Sequence, residues 1–158
     1  MAFPDTAFTA YSSRIPASWL NAVNDRLAGT ASITDYLPDG FSASSDATSY
    51  VQAAFNSGAK QVDFIGTPLK CDAVTVPAGV AALNVNFTKY TNAAGNVLLV
   101  NTGCFVTGKI AGTGLTSAIQ RGIYPATDGV CDVYLDLEVT NLTVGVHAQY
   151  ISTDTDPH

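Results

Sequence analysis

The sequence predicts a mainly β protein, organised as a parallel β-helix that follows two short helices. Only 13% of the 158 residues are charged, against roughly 25% in an average soluble domain, so Ser, Thr, Asn and Gly must cover much of the surface. After Lys60 the chain consists of short segments rich in β-branched residues and separated by Gly, Asn, Asp or Pro. These segments share a rhythm that recurs at roughly twenty residues, which is typical of a solenoid.

Residues 1–30 are predicted to form an N-terminal segment that contains one short helix. In "IPASWLNAVNDRLAG" a proline lies near the helix start, a glycine follows its end, and four apolar residues recur at helical spacing. A helix of about three turns is marginal by itself, so its apolar stripe must pack against its own chain or against a partner. This stripe, a candidate subunit contact, consists of Trp19, Leu20, Val23 and Leu27. Residues 31–45 are rich in turn-forming residues and are predicted to be a connector.

The segment "SDATSYVQAAFNSGA" predicts a second helix over residues 46–57. Ser45 or Asp46 can cap its N-terminus, and Gly58 can adopt the left-handed conformation that ends a helix. The first coil of a β-helix has unpaired N–H and C=O groups, which promote aggregation unless they are covered. Because this helix directly precedes the first strand, we predict that it caps that coil. Its apolar stripe is formed by Ala47, Tyr50, Val51, Ala54 and Phe55.

Eight strands are predicted after Lys60, each four to nine residues long. An antiparallel sandwich would join such strands by hairpin turns of the Asn-Gly or Asp-Gly type. Asp39-Gly40 precedes all of the strands, which leaves Asp128-Gly129, so the recurrence favours the solenoid over the sandwich. The predicted strands are QVDFI, AVTVP, ALNVNFT, VLLV, CFVTGKI, QRGIY, CDVYLDLEV and TVGVHAQY.

Charge and cysteine content exclude several classes of partner. The net charge is −6 and the seven Lys and Arg residues are scattered singly, whereas a surface that follows phosphates needs clustered cations. Nucleic acid and anionic membrane surfaces are therefore not expected as partners. Membrane insertion is not expected either, because many Asn, Thr and Gly residues break the uncharged stretch 90–108 into strands and turns. Cys71, Cys104 and Cys131 are far apart and form no CxxC pair, so we expect buried thiols without a disulfide framework, a metal site or a cofactor.

The order of residues from 46 to 80 resembles the opening of right-handed β-helix proteins of the pectate-lyase-like superfamily, in particular bacteriophage tailspikes. Those proteins begin with a D-x-T-x-x-x-Q-x-A helix, then a V-x-F strand, then a strand that ends in P-x-G-V. Upstream, "IPASWLNAVND" resembles the S-W-L-N-x-x-N-D segment that precedes the β-helix in phage tail fibres. The resemblance covers about residues 14–150. Its matching residues in the β-helix opening are Asp46, Thr48, Gln52, Ala53, Ala54, Val62, Phe64, Val76, Pro77, Gly79 and Val80.

The resemblance implies a structural virion protein, made in the bacterial cytoplasm and located in the phage tail. It implies a homotrimer in which residues 1–30 attach to tail or adaptor proteins and residues 46–158 form the capping helix and the first coils. Those coils are expected to lead into a body that binds host surface polysaccharide. Two alternatives are a trimeric capsid decoration protein and a self-contained polysaccharide-degrading enzyme. Glycan-cleaving tailspikes are several times longer, so hydrolase or lyase activity would require a longer native spike and is not expected of this chain.

The stretch "CDVYLDLEV" carries four polar residues in alternation with apolar ones: Asp132, Tyr134, Asp136 and Glu138. Alternation places them on one solvated face of a strand. Carboxylates two residues apart on a strand are roughly 6.5–7 Å apart, within the range of about 5–9.5 Å used by glycosidases. Acidic residues are also ordinary on the outer face of a solenoid. We therefore predict an outer surface that is a candidate glycan contact, and we assign no catalytic residue.

The glycine-rich stretch "GKIAGTG" at residues 108–114 superficially resembles a phosphate-binding loop. A loop of that type ends in Gly-Lys-Ser or Gly-Lys-Thr, but Lys109 follows the first glycine instead of the last. The glycines are therefore predicted to form tight corners between strands.

Overall fold

The computed structural model describes residues 29–114, 117–127, 129 and 132–146. Strands account for 45% and helices for 10% of this part of the chain. A short 3₁₀ helix, Ile33–Asp35, follows the first strand, and one α-helix, α1, spans Thr48–Phe55. The strands are β1 (Thr30–Ser32), β2 (Gln61–Asp63), β3 (Leu69–Cys71), β4 (Val74–Val76), β5 (Ala81–Lys89), β6 (Gly95–Val100), β7 (Phe105–Ala111), β8 (Gln120–Pro125), β9 (Tyr134–Thr140) and β10 (Val144–Val146).

The strands form two sheets, and from β3 onward the chain visits them alternately. Sheet A has the order β1-β2-β5-β7-β9, with β3 also paired to β5, and sheet B has the order β10-β8-β6-β4. Every strand pairing in the described residues is parallel. A hairpin-joined sandwich would contain antiparallel pairs instead. The mainly β prediction is thus confirmed, with parallel strands in both sheets.

All eight predicted strand segments contain a strand, whereas β1 and β3 were missed. Each has three residues, as do β2, β4 and β10, but its sequence, TAS or LKC, contains no Val or Ile and so gives a weaker strand signal. The segment at 31–45, predicted as a connector, begins inside β1 and contains the fully buried Ile33. Its Phe41 ring also lies 5.6 Å from the ring of Tyr50 in α1. These residues therefore pack as part of the fold, because pairing with β2 and the core overrides their turn-forming composition.

Successive strands place apolar residues directly above one another, and these residues form one continuous core. In sheet A, Leu69 of β3 pairs with Phe87 of β5, which pairs with Ile110 of β7. Aromatic rings extend this packing at the end covered by α1. The Phe55 and Phe64 rings are 5.4 Å apart, and the Phe64 and Phe87 rings are 4.8 Å apart in an edge-to-face arrangement. All five of these side chains are almost completely buried.

The helix α1 lies inside the predicted range 46–57 and ends before Gly58, which has the expected positive φ of 85°. The N-cap is Ala47, not the predicted Ser45 or Asp46, and it has no side chain that could cap the helix. Asp46 lies one residue earlier and accepts the backbone N–H of Thr48 at 2.8 Å. Val51, Ala54 and Phe55 bury the apolar stripe.

Side chains of α1 also bind the edges of the neighbouring strands. The Gln52 amide accepts the N–H of Thr75 in β4 at 2.8 Å and donates to the Thr75 carbonyl at 3.1 Å. The Thr48 hydroxyl accepts the N–H of Asp72 at 3.0 Å. Because β4 is the edge strand of sheet B, Gln52 provides the two bonds that another strand would have provided.

Two polar side chains are buried where the chain turns from sheet A to sheet B. Lys89 is 3% exposed and forms an ion pair with Asp72, whose other carboxylate oxygen accepts the N–H of Thr91 at 3.1 Å. Gln120 is fully buried and bonds to the backbone of Thr91 and of Thr113. These bonds link successive turns and compensate for the burial of polar groups.

The glycines of "GKIAGTG" were predicted to form tight corners between strands, but this does not describe Gly108. Gly108 lies inside β7, not at a corner, and a Cβ there would come within 2.1 Å of the Val85 carbonyl oxygen. Gly112 directly follows β7, and its Cβ would meet the Asn141 carbonyl oxygen at 1.9 Å. These glycines permit close approach between stacked backbones.

Candidate functional site

The outward side chains of β7 and β9 form a surface that we call the β7–β9 face. It contains three pairs of residues in register: Phe105 with Tyr134, Thr107 with Asp136, and Lys109 with Glu138. The intervening residues point to the opposite side of the sheet, where Val106 and Ile110 are fully buried. The face therefore has one aromatic row, one polar row and one charged row.

The aromatic row is largely exposed. Tyr134 is 66% exposed and Phe105 is 42% exposed. Neighbouring strands are about 4.8 Å apart, so the two side chains emerge from adjacent positions. On the other side of Phe105 the same row continues with Ala81 of β5 and Gln61 of β2. The small Ala81 side chain leaves space beside the phenylalanine ring.

The charged row contains an exposed ion pair. Lys109 Nζ lies 2.8 Å from a carboxylate oxygen of Glu138, and both side chains are more than half exposed. The hydrogen bond and the negative charge of Glu138 raise the pKa of Lys109 above its ordinary value. Exposed pairs of this kind add little to stability, but here the pair neutralises the cation of the face. The remaining acidic group on β9 is Asp136.

The polar row continues across sheet A towards β2. The Thr107 hydroxyl accepts the backbone N–H of Asn84 at 3.0 Å, and Asn84 Nδ2 donates to Asp63 at 3.0 Å. Asp63 also accepts the N–H of Ile65 at 2.8 Å. This network holds Asn84 and Ile65 at φ values of 53° and 47°, which are unusual for non-glycine residues. The row is therefore a positioned set of donors and acceptors.

Three of the four predicted glycan-contact residues lie together on this face. Tyr134, Asp136 and Glu138 are exposed on β9 as predicted. Asp132 is also exposed, but it precedes β9 and has a φ of 55°. A left-handed residue interrupts the two-residue alternation, so strand geometry does not place Asp132 in line with the other three.

Phe105 and Lys109 belong to the face but were not singled out from the sequence. A signal was present for Phe105, because an aromatic residue occupies the polar side of the alternation in "CFVTGKI". For Lys109, only the register between β7 and β9 reveals Glu138 as its partner. Four residues were predicted to contact the virion or a sister subunit, and all lie outside the described residues: Trp19, Leu20, Val23 and Leu27.

The chemistry of the face suits binding better than proton transfer. Asp136 and Glu138 are two residues apart on a strand, roughly 6.5–7 Å, a separation that glycosidases use. Both are exposed, however, whereas a carboxylic acid that donates a proton at neutral pH generally needs apolar surroundings. The carboxylates can accept hydrogen bonds from hydroxyl groups, and the aromatic rings can stack on apolar faces of a ligand.

Two further properties concern metals and membranes. Within the described ranges no three His, Cys, Asp or Glu residues come together in a way that could hold a metal ion. None of the helices in that part of the chain has the length and apolar character needed to span a bilayer.

Comparison with known proteins provides no relative for this chain: no protein-family model, no curated protein and no solved structure matches it.

Proposed function

We propose that this chain is a structural protein of a bacteriophage virion, a tailspike or tail fibre built on a right-handed parallel β-helix. The alternation of the chain between two parallel sheets supports the β-helix. Residues that pair between β4 and β6 are 24 positions apart, as for Val74 and Leu98, close to one turn of such a solenoid. Crossover connections between parallel strands are right-handed in about 98% of cases, which favours that hand.

The observation that carries the proposal is the attachment of α1 to the first strands. Asp46, Thr48 and Gln52 are the polar residues of the motif that resembles the tailspike opening. Thr48 and Gln52 bind the backbone of Asp72 and of Thr75, where α1 meets the strands. Asp46 accepts the N–H of Thr48 and forms a parallel bridge with Lys70 of β3. The spacing of the motif residues and the hydrogen bonds that they make are thus both consistent with a helix that covers the first strands of a solenoid. Such agreement between motif and contacts is more specific than a mainly β composition.

In this proposal the chain is a homotrimer. Residues 1–30 attach it to the tail or to an adaptor protein. Residues 46–158 form the capping helix and the first coils, which lead into a body that binds host surface polysaccharide. The low charged fraction of 13% and the exposed residues of the β7–β9 face are consistent with surfaces made for contact. Light scattering on the full chain should give three times the 16.4 kDa of one chain, and a stable monomer at micromolar concentration would contradict the trimer.

Location in the particle tests the functional class. Antibodies against the purified chain are expected to label the tail of phage particles that encode it, and mass spectrometry of purified particles should detect the chain. Labelling over the whole shell would replace the proposal by a capsid decoration protein. Absence from purified particles would refute a virion role.

An enzyme would give a different result. If the chain degraded polysaccharide by itself, incubation would release reducing ends, and Asp136→Asn would abolish the release without lowering the melting temperature. We expect no release, and Asp136→Asn should shift the free energy of unfolding by at most about 0.5 kcal/mol, as for other surface substitutions.

A further inference from the structure

We propose that the β7–β9 face binds an uncharged polysaccharide, with Phe105 and Tyr134 as its stacking surface. This inference rests on the proposed function and specifies the class of glycan. It starts from the exposure of the two rings, 42% for Phe105 and 66% for Tyr134, in register on adjacent strands. Single exposed apolar residues are ordinary, but aligned aromatic residues with a polar margin are typical of a contact surface.

The polar margin points to a hydroxyl-rich ligand. Asp136 lies next to Thr107, and the Thr107 hydroxyl belongs to the network that continues to Asn84 and Asp63. Carboxylate oxygens accept hydrogen bonds, and hydroxyl and amide groups supply both donors and acceptors. A sugar ring presents C–H groups on its faces and hydroxyls around its edge, so it matches aromatic residues beside such a row.

The charges of the face select among hydroxyl-rich ligands. Its cation, Lys109, is held 2.8 Å from Glu138, while Asp136 adds a further negative charge and the whole chain carries −6. A polyanionic glycan would be repelled by this surface, and so would a nucleic acid, although aromatic residues stack on bases as well. A neutral polymer avoids this repulsion.

The test compares glycans that differ in charge. The full chain would be titrated over immobilised dextran, mannan and galactan as neutral polymers, and over polygalacturonate and hyaluronan as acidic polymers, at low and high salt. We expect binding to at least one neutral polymer with little dependence on salt, and no binding to the acidic polymers. Binding only to acidic polymers, with affinity that falls as salt rises, would overturn the inference but leave glycan binding by a tail protein intact.

Variants locate the binding surface. Phe105→Ala and Tyr134→Ala should each weaken binding to the neutral polymer about tenfold or more, as for central contact residues. Tyr90→Ala is the matched control, because Tyr90 is a 43% exposed tyrosine that follows β5 and lies outside the face. It should retain wild-type affinity.

Light scattering separates glycan binding from subunit contact. The Phe105→Ala and Tyr134→Ala variants should keep the wild-type mass. Dissociation of the assembly by either variant would show that the face joins copies of the chain, and would overturn the inference. Failure of every neutral polymer to bind would also overturn it, whereas detection of the chain in purified particles is unaffected by either result.

Discussion

At position 108 the backbone leaves no space for a side chain. Gly108 has a φ of 125°, and a Cβ would lie 2.1 Å from the Val85 carbonyl oxygen. The register between β5 and β7 shifts between Ala82 and Val85, and Val85 is the residue that pairs with Gly108. A glycine inside a strand often marks this kind of irregularity.

Gly108→Ala should therefore destabilise the protein more than Gly114→Ala. Gly114 has a similar φ of 112°, but a Cβ added there would have nothing within 4 Å, so its substitution measures backbone strain alone, about 1–3 kcal/mol. The clash at Gly108 should add about 1–3 kcal/mol of overpacking or more. Chemical denaturation of both variants measures the difference. Equal losses would mean that the strands separate without cost at this point.

The buried Cys71 thiol predicts a loss of stability at alkaline pH. Burial raises the pKa of Cys71 well above its ordinary value of 9.0, with further contributions from the charges of Asp72 and Asp46. Because the folded-state pKa is raised, the stabilising contribution is complete below pH 9 and is lost as pH rises above 9. Between pH 8 and pH 10 the loss should reach about 1.4 kcal/mol.

Denaturation of the wild type and of Cys71→Ala at both pH values isolates this contribution. The variant starts from a lower stability, but its decline between pH 8 and pH 10 should be smaller than that of the wild type. Identical declines would show that other groups account for the pH dependence.

At the scale of elements, the contact between α1 and β4 shows how an exposed sheet edge is closed. An edge strand presents unpaired N–H and C=O groups that can pair with another chain. The Gln52 amide binds both backbone groups of Thr75. One side chain thus replaces a short section of strand pairing, while Val51, Ala54 and Phe55 provide the apolar contact.

Gln52→Leu tests this contact. Leucine keeps a similar size and a high helix propensity but leaves the N–H and C=O of Thr75 without Gln52, so we expect a loss of about 1–3 kcal/mol. Ser49→Ala, on the exposed side of the same helix, is the control and should change stability by no more than about 0.5 kcal/mol. A Gln52→Leu variant as stable as the control would show that Thr75 finds another partner. Increased aggregation of Gln52→Leu alone would support edge protection.

At the scale of the whole molecule, burial of the inward residues decreases along the stack. Leu98 of β6 is fully buried, whereas Leu135 of β9 is 37% exposed and Val146 of β10 is 50% exposed. The side of Leu135 is nevertheless the predicted one, because it pairs with the buried Val106. Each strand is covered by its neighbours in such an arrangement. The free-energy cost of truncating an inward side chain therefore depends on its position in the stack as well as on the residue type.

Leu98→Ala and Leu135→Ala compare the same substitution at two positions in the stack. Leu98→Ala should cost about 2–5 kcal/mol, because it removes buried methyl groups and leaves a cavity. Leu135→Ala should cost clearly less, since part of its side chain already contacts solvent. The two free energies of unfolding, from denaturation in the same buffer, measure this difference. Equal costs would indicate that β9 is covered in solution, for example by a partner.

The local sequence pattern was sufficient to predict those elements whose residue types are typical of a strand or whose apolar residues recur at helical spacing. The eight strand segments follow from runs rich in β-branched residues between turn residues, and the helix at 46–57 follows from apolar residues at helical spacing, because both signals are properties of the segment itself. The same holds for the solvated side of β9, with Tyr134, Asp136 and Glu138. It does not hold for β1 and β3, which contain no Val or Ile and exist because neighbouring strands pair with them.

Relations between distant residues were decided only by the tertiary structure. Gln52 is 23 residues from Thr75, and Lys109 is 29 positions from Glu138 in register between β7 and β9. Nothing in either local segment specifies the partner, because register depends on how many residues each turn of the chain contains. The same register brings Phe105 beside Tyr134, and the register between β5 and β7 places Gly108 against Val85. Sequence determined which residues face solvent, whereas the stacking of strands determined which of them form a common surface.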